Sequence, residues 1–327
     1  MNPLIDPIGR RIDYLRISVT DRCNERCLYC LTENHAGWMP RAEVLSDAEL
    51  IAIVRAAVSL GFKRFRVTGG EPLLRAGIVD LIGRIIAFPG VESVMLSTNG
   101  LLLPALAQQL YDAGLSSINI SLDALDGAAY RAITGGNIEP VLRGIELVRD
   151  IGFPSVKLNT VLMKRKNENE IIPLLHYAAS KDIAIRFIEL MPVSSTEMLK
   201  DNIFLSISEV RKLLQLHYTM VPLDEHLGSG PAKYYHLPEL GATVGLIGAM
   251  SDLHFCDQCN KMRLTSDGKL RPCLGNHLET DLMPALRPSV NQPALQELFL
   301  STLAEKPVEH SFREQFVPLR GMTAIGG

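Results

Sequence analysis

The stretch YLRISVTDRCNERCLYC, Tyr14 to Cys30, runs from a β-branched strand straight into Cys23, Cys27 and Cys30, a C-x3-C-x2-C spacing. Three closely spaced thiolates just past a strand can hold an iron-sulfur cluster or a zinc ion. A structural zinc site almost always closes with a fourth protein ligand, and the nearest candidate is His35. These residues alone leave both metals open. The stretch does set the unit of architecture, a strand whose C-terminal end delivers a loop of metal ligands.

Outward from it, β-branched runs alternate with helical stretches from Ile12 to Leu190. Strands are expected near 12–18, 64–68, 93–98, 117–122, 155–162 and 183–189, with helices near 46–60, 75–88, 101–113, 138–150 and 168–180. The first helix opens on Ser46 with Glu49 three residues later, a capping-box spacing. Strand and helix alternating in this way build a parallel sheet with crossover helices. Six units fit this span, whereas a complete eight-unit barrel takes about 250 residues. The expected fold is therefore α/β, a partial (βα)6 TIM-like barrel.

Side chains at i and i+2 of a strand share a face. One face is apolar, with Leu15 and Ile17, Phe65 and Val67, Val94 and Leu96, then Ile118, Ile120 and Leu122. The other carries Arg16 and Ser18, Arg64, Arg66 and Thr68, Ser97 and Asn99, Asn119, Ser121 and Asp123, then Lys157 and Asn159. If helices cover the apolar face, the barrel interior is polar and partly cationic, unlike the Val, Ile and Leu filling of a closed barrel. Burying unpartnered cations costs several kcal/mol each, so the interior is expected to hold water and an anionic ligand. A register displaced by one residue would instead put these charges on the surface.

After Leu190 the rhythm changes. A loop leads to a helix in SISEVRKLLQL, then strands near 217–222, 233–237 and 243–248 and helices near 279–287 and 293–305. Between them lie Cys256, Cys259 and Cys273, C-x2-C-x13-C, which a zinc site completed by His254 or His277 would also explain. The formal charge of −3 gives no bulk attraction to nucleic acid or anionic membrane, so an anionic ligand has to be held by local charges. No apolar run reaches the roughly 18 residues of a spanning helix, and the N-terminus has no apolar leader core. A cytoplasmic location is expected, where cysteines spaced in this way are metal ligands more often than disulfides.

Tyr29 just before the third cysteine, together with TGGEP at Thr68–Pro72 ending the second strand, resembles the radical S-adenosylmethionine superfamily. Over its whole length the chain is similar to the molybdenum cofactor biosynthesis protein A family, the GTP 3′,8-cyclases. The motifs that carry the resemblance are YLRISVTDRCNERCLYC, TGGEPLLR, STNGLLL, INISLDAL, VKLNTVL, IRFIELMPV, AKYYHL, FCDQCNKMRL, SDGKLRPCL and GMTAIGG, in the family's order.

The resemblance implies a radical S-adenosylmethionine barrel over residues 1–215 and an α+β region over 216–327 that carries a second cluster. It implies two [4Fe-4S] clusters, on Cys23, Cys27 and Cys30 and on Cys256, Cys259 and Cys273, each with an open iron. One iron would take S-adenosylmethionine and the other the guanine of GTP. Tyr29, Gly69, Gly70, Glu71, Ser121 and Met191 match cofactor contacts; Arg16, Arg66, Ser97, Lys157, Lys261 and Arg263 match GTP contacts. The implied reaction converts GTP to 3′,8-cyclo-7,8-dihydroguanosine triphosphate, the first step of molybdopterin synthesis. Cyclic pyranopterin monophosphate synthase would act next, the electron donor is not identified by the resemblance, and a homodimer is implied. Gly326 and Gly327, the tail, would reach the active site and assist catalysis.

Three positions depart from the family pattern. Lys261 stands where Arg is common and loses the planar fork, Ser97 stands for Thr, and Ser194 stands for Gly. Two other readings compete: a radical S-adenosylmethionine peptide-modifying enzyme with an auxiliary cluster, and a non-catalytic scaffold with two zinc sites. Peptide-dependent cofactor cleavage without any effect of GTP would mark the first, and two tightly held zincs the second.

Overall fold

The computed structural model describes residues 4–31, 37–194, 202–223, 228, 230–314 and 316–326. Its framework is six strands, β1 (Tyr14–Ser18), β2 (Arg64–Thr68), β3 (Ser93–Thr98), β4 (Ser117–Ser121), β5 (Ser155–Leu162) and β6 (Ala184–Glu189), paired in chain order and all parallel. The crossovers are α1 (Asp47–Leu60), α2 (Ile78–Ile86), α3 (Leu103–Asp112), the pair α4 (Gly127–Thr134) and α5 (Ile138–Ile151), and α6 (Ile171–Ser180). Each expected strand and helix is present with ends shifted by a few residues. α4 is additional.

Helix starts follow local chemistry. The Ser46 hydroxyl accepts the Glu49 N–H and the Glu49 carboxylate accepts the Ser46 N–H, closing the expected capping box. Asp126 caps α4 by accepting the Ala128 and Ala129 N–H groups, and Asn137 caps α5 by accepting the Glu139 N–H. The apolar strand face packs under these helices, and its residues from Leu15 to Leu122 named above are at most 2% exposed. That fixes the register, so the opposite face looks into the concave side of the sheet.

The C-terminal part does not stand apart from this sheet. It contributes α7 (Ile207–Gln215), β7 (Val221–Pro222), β8 (Lys233–Leu237) and β9 (Ala242–Ile247), then β10 (Lys261–Leu264), β11 (Lys269–Arg271) and β12 (Thr280–Asp281). The sheet order is β12-β11-β10-β1-β2-β3-β4-β5-β6-β9-β8-β7. β10 lies parallel to β1 and β9 parallel to β6, so both open edges of the six-strand core are extended by later chain. The helix expected near 279–287 is instead β12 followed by one turn, α8 (Met283–Leu286). α9 (Gln292–Ala304) packs on α1, with Phe299 edge-on to Phe62 at 5.6 Å, and Arg287 pairs with Glu49 at 2.6 Å. The chain ends in a short turn of helix, α10 (Met322–Ile325). Among the described residues no helix is long and apolar enough to cross a membrane.

Candidate functional site

The concave face is set by register. Arg263 of β10, Arg16 of β1 and Arg66 of β2 are consecutive partners across the sheet. Ser97, Asn119 and Lys157 form a second row across β3, β4 and β5, and Ser121, Asn159 and Arg186 a third across β4, β5 and β6. In a parallel sheet such partners point the same way, so one face gathers arginine and lysine from five strands. Arg186 belongs to this set although the sequence motifs did not single it out. Its place between Ile185 and Phe187, both fully buried on the other face, was the signal.

Among the described residues no carboxylate neutralises these cations: Arg16, Arg66, Lys157, Arg186, Lys261 and Arg263 take part in no ion pair. Arg64, expected on this face, pairs with Asp13 at 2.6 Å at the start of the strands and stands outside the group. Arg66 donates to the Tyr14 hydroxyl and to Ser97 at 3.1 Å, and Arg186 donates to Asn159 at 2.8 Å. The Lys261 ammonium lies 5.3 Å from the Tyr14 ring centroid and donates to Asn260 at 2.8 Å. Buried Nε of Arg16 and one terminal nitrogen of Arg186 have no hydrogen-bond partner.

Burial and mutual repulsion mark the same group. Burial, with Arg186 and Arg66 adding to it, pushes Lys157 down to about 8, and burial pushes Lys261 down to about 8. Burial holds Arg16 well below the usual guanidinium value, with Arg263 next in effect. Unpaired cations with unfilled donors in a concave face fit a multiply charged anion.

The first cysteine loop sits at the C-terminal end of β1. It is docked on α4, the helix that the sequence pattern did not reveal: Arg26 N–H donates to Thr134, Leu28 N–H to Ile133, and the Tyr130 hydroxyl to Glu25 at 2.7 Å. Cys30 and Leu31 N–H groups both donate to the Cys27 carbonyl, turning the loop so that the thiols face one another closely enough to raise each other's pKa. The TGGEP loop explains its own glycines. A Cβ on Gly69 would stand 2.5 Å from the Thr20 carbonyl oxygen, and one on Gly70 would meet the Asp21 and Arg22 carbonyls. Gly70 and Glu71 N–H groups donate to Thr20 and Arg22, so the glycines let this loop lie backbone to backbone on the cysteine loop.

Of the other expected cofactor residues, Glu71 belongs to that contact. Glu71 is fully buried, and its carboxylate accepts Leu73 N–H, the Thr98 hydroxyl and Asn99 N–H, which leaves any ligand contact to its backbone. The Tyr29 hydroxyl donates to Asp123 at 2.7 Å, next to Ser121 at the end of β4. Met191 follows β6 and packs in a small apolar cluster with Phe312, Phe316 and Met322. His35 lies outside the described residues.

The second triad sits before and after β10 and β11. Cys259 N–H donates to the Cys256 carbonyl, and electrostatic contact couples Cys273 to both. The imidazoles expected to complete a zinc site are engaged elsewhere. His254 pairs with Asp257 at 2.8 Å, and His277 stacks on Phe316 at 4.6 Å. Among the described residues no group of three or more His, Cys, Asp or Glu is arranged to hold a single metal ion. A thiolate-only set of three suits a [4Fe-4S] cluster with one iron left for a small-molecule ligand.

The tail reaches this chamber. Ser194 accepts the Met322 N–H at 3.1 Å, Ser266 N–H donates to Ala324, and Arg263 donates to the Gly326 carbonyl at 2.8 Å. A Cβ on Gly326, at φ +87°, would stand 2.6 Å from the Thr68 methyl at the end of β2. Gly327 lies outside the described residues.

A partial parallel barrel with a three-cysteine loop at the end of β1 and a glycine-rich loop docked on it defines the radical S-adenosylmethionine class. Residues 17–178 match the family model described as the radical SAM superfamily, and residues 183–312 match molybdenum cofactor synthesis C. The chain resembles Streptococcus suis SuiB in its complex with the precursor peptide SuiA, at a TM-score of 0.63, 16% identity, and coverage of 91% of this chain and 65% of that one. That likeness concerns the fold. In sequence it is 41% identical over 324 residues to the GTP 3′,8-cyclase of Pelotomaculum thermopropionicum, covering 98% of this chain and 99% of that protein. It is 43% identical over 330 residues to the GTP 3′,8-cyclase of Pseudomonas putida W619, covering 99% and 98%. The chain belongs to the GTP 3′,8-cyclase family, whose superfamily cofactors are a [4Fe-4S] cluster and S-adenosylmethionine.

Proposed function

We propose that this protein is a GTP 3′,8-cyclase carrying two [4Fe-4S] clusters, acting in the cytoplasm at the first step of molybdenum cofactor synthesis. The observation that carries the reading is the row of unpaired cations on the concave face, between the two cysteine triads. Arg16, Arg66, Lys157 and Arg186 bind the triphosphate, filling the donors of Arg16 and Arg186 that the protein leaves open. Ser97 adds a hydroxyl beside Arg66, and Lys261 and Arg263 hold the nucleotide next to the second triad. Cys256, Cys259 and Cys273 would hold the second cluster, which would supply an iron site for the guanine, and Cys23, Cys27 and Cys30 would hold the first.

When bound at the first triad, a cluster and S-adenosylmethionine would supply the radical chemistry for hydrogen abstraction from the nucleotide ribose. The chain orients the reactants and excludes water. Gly69, Gly70 and the backbone of Glu71 fix the cofactor against the cysteine loop, with Tyr29, Ser121 and Met191 around it. Arg263 holds the Gly326 carbonyl, so Gly326 stands at the concave face between β1, β2 and β10. In this reading residues 1–215 make the radical and hold the triphosphate, residues 216–327 carry the second triad with Lys261 and Arg263, and the product passes to cyclic pyranopterin monophosphate synthase.

The test is 5′-deoxyadenosine formation by anaerobically reconstituted protein with S-adenosylmethionine and reductant, with and without GTP. Strong stimulation by GTP and a product isomeric with GTP are expected. Equal rates without GTP and no isomer would contradict the substrate. Deleting Gly326 and Gly327 is expected to abolish the isomer with both clusters intact, and unchanged turnover would remove the tail from the reaction.

A further inference from the structure

Lys306 lies two residues beyond α9, outside the concave face, and is only 4% exposed. Its ammonium donates to the Lys261 carbonyl at 2.8 Å and to the Pro272 carbonyl at 2.6 Å. Those carbonyls belong to the segments that carry Cys259 and Cys273. An ammonium has three N–H donors, and among the described residues Lys306 shows no third acceptor and no carboxylate partner. Arg10, buried nearby, makes the contrast. It donates to the Cys256, Pro307 and Val308 carbonyls, but its charge is met by Asp6 at 2.6 Å.

A buried cation without a counter-charge costs several kcal/mol. Its two acceptors set it beside the thiolates of the second triad, because Pro272 immediately precedes Cys273 and Lys261 lies two residues after Cys259. The first triad has a different neighbour, the Glu25 carboxylate, 3.9 Å from the Cys27 thiol.

We infer that Lys306 is the buried counter-cation of the second cluster, tying together the two segments that hold it and setting its reduction potential. This rests on the two-cluster reading above. Net charge around a cluster is a main control of its potential. Reduction adds one negative charge to the cluster, and a fixed cation beside it stabilises that reduced state. Lys306 therefore raises the potential of the second cluster, and acts as a positioning and tuning residue without touching substrate.

The experiment is an EPR-monitored redox titration of the reconstituted holoenzyme. The second cluster's signal is identified as the one missing from a C256A/C259A/C273A variant. In Lys306→Met the midpoint of that signal is expected to move to more negative potential while the other signal stays put, and Lys306→Arg is expected to keep the original midpoint. Lys306→Gln removes the charge but keeps N–H donors for the two carbonyls, and it is expected to follow Lys306→Met. Loss of the second cluster's iron in both neutral variants but not in Lys306→Arg also supports a counter-charge. An unchanged midpoint in a fully loaded Lys306→Met or Lys306→Gln overturns the inference, as does loss of the cluster in all three. Wild-type protein that holds only one cluster's iron overturns the two-cluster reading instead.

Discussion

At the end of β1, burial raises Cys23 to about 11 and Cys30 to about 12, and the carboxylates Glu25, Glu71 and Asp123 work in the same direction on Cys23 and Cys27. Beside β10 and β11, burial still raises Cys256 and Cys273, but Cys259 is held below the usual value despite burial by Lys306 and Lys261, with a backbone hydrogen bond and Arg10 adding to them. The charged groups around the two triads thus differ in sign. The difference follows the charge of the ligand each is expected to receive. S-adenosylmethionine brings a sulfonium cation, and GTP brings several negative charges. On the proposed reading one sheet sorts the two by charge, acidic at the loop after β1 and cationic along the rows from Arg263 to Arg186.

The sharpest way to break this division is to remove one thiol from each end. Cys23→Ala is expected to bring 5′-deoxyadenosine formation to background. Cys259→Ala is expected to retain cofactor cleavage while losing the GTP isomer, both measured by chromatography with mass spectrometry. If Cys259→Ala also loses cofactor cleavage, the ends are not separate in function. Next in size, Arg186→Ala is expected to lower kcat/KM for GTP roughly ten- to hundredfold, from a charge-assisted hydrogen bond worth about 1.5–3 kcal/mol. The KM for S-adenosylmethionine is expected to hold within about twofold on the same scale. An equal loss for both ligands would show that the cationic rows serve the whole fold.

Acidity sharpens the comparison by a smaller margin. Burial puts Lys157 at about 8 and Asp123 at about 6. The ammonium is charged below its value and lost above it, so the KM for GTP is expected to rise as pH climbs past about 8. The carboxylate is charged above its value and lost below it, so the KM for S-adenosylmethionine is expected to rise as pH falls past about 6. Steady-state kinetics in each substrate across pH 5.5–9 checks both limbs, as an order-of-magnitude window around the reference values. The smallest effect is expected from Ser194→Ala, which removes the acceptor for the Met322 N–H. A lost hydrogen bond of about 0.5–1.5 kcal/mol should loosen α10 and speed carboxypeptidase release of the tail a few-fold.

Much of this division is legible in the amino-acid sequence. Strand alternation places Arg16, Arg66, Ser97 and Lys157 on one face, because burial of Leu15, Phe65 and Leu96 on the other leaves no choice of register. The same alternation in IRFIE contains Arg186. α4 escapes because it is only eight residues long between glycine-containing turns, and its apolar residues Tyr130 and Ile133 serve the cysteine loop as much as the main core. β10 escapes for a different reason. Four residues, KMRL, carry too little pattern, and their strand character comes from pairing with β1, Tyr14 lying opposite Lys261. Lys306 looks like any other lysine until the fold brings Lys261 and Pro272 to its ammonium.

The division of the sheet into a cofactor end and a substrate end is tested most directly by EPR of the reduced, reconstituted protein as each ligand is added alone. S-adenosylmethionine is expected to shift only the signal lost in C23A/C27A/C30A, and GTP only the signal lost in C256A/C259A/C273A. Both ligands perturbing the same cluster, or GTP perturbing neither, would contradict it.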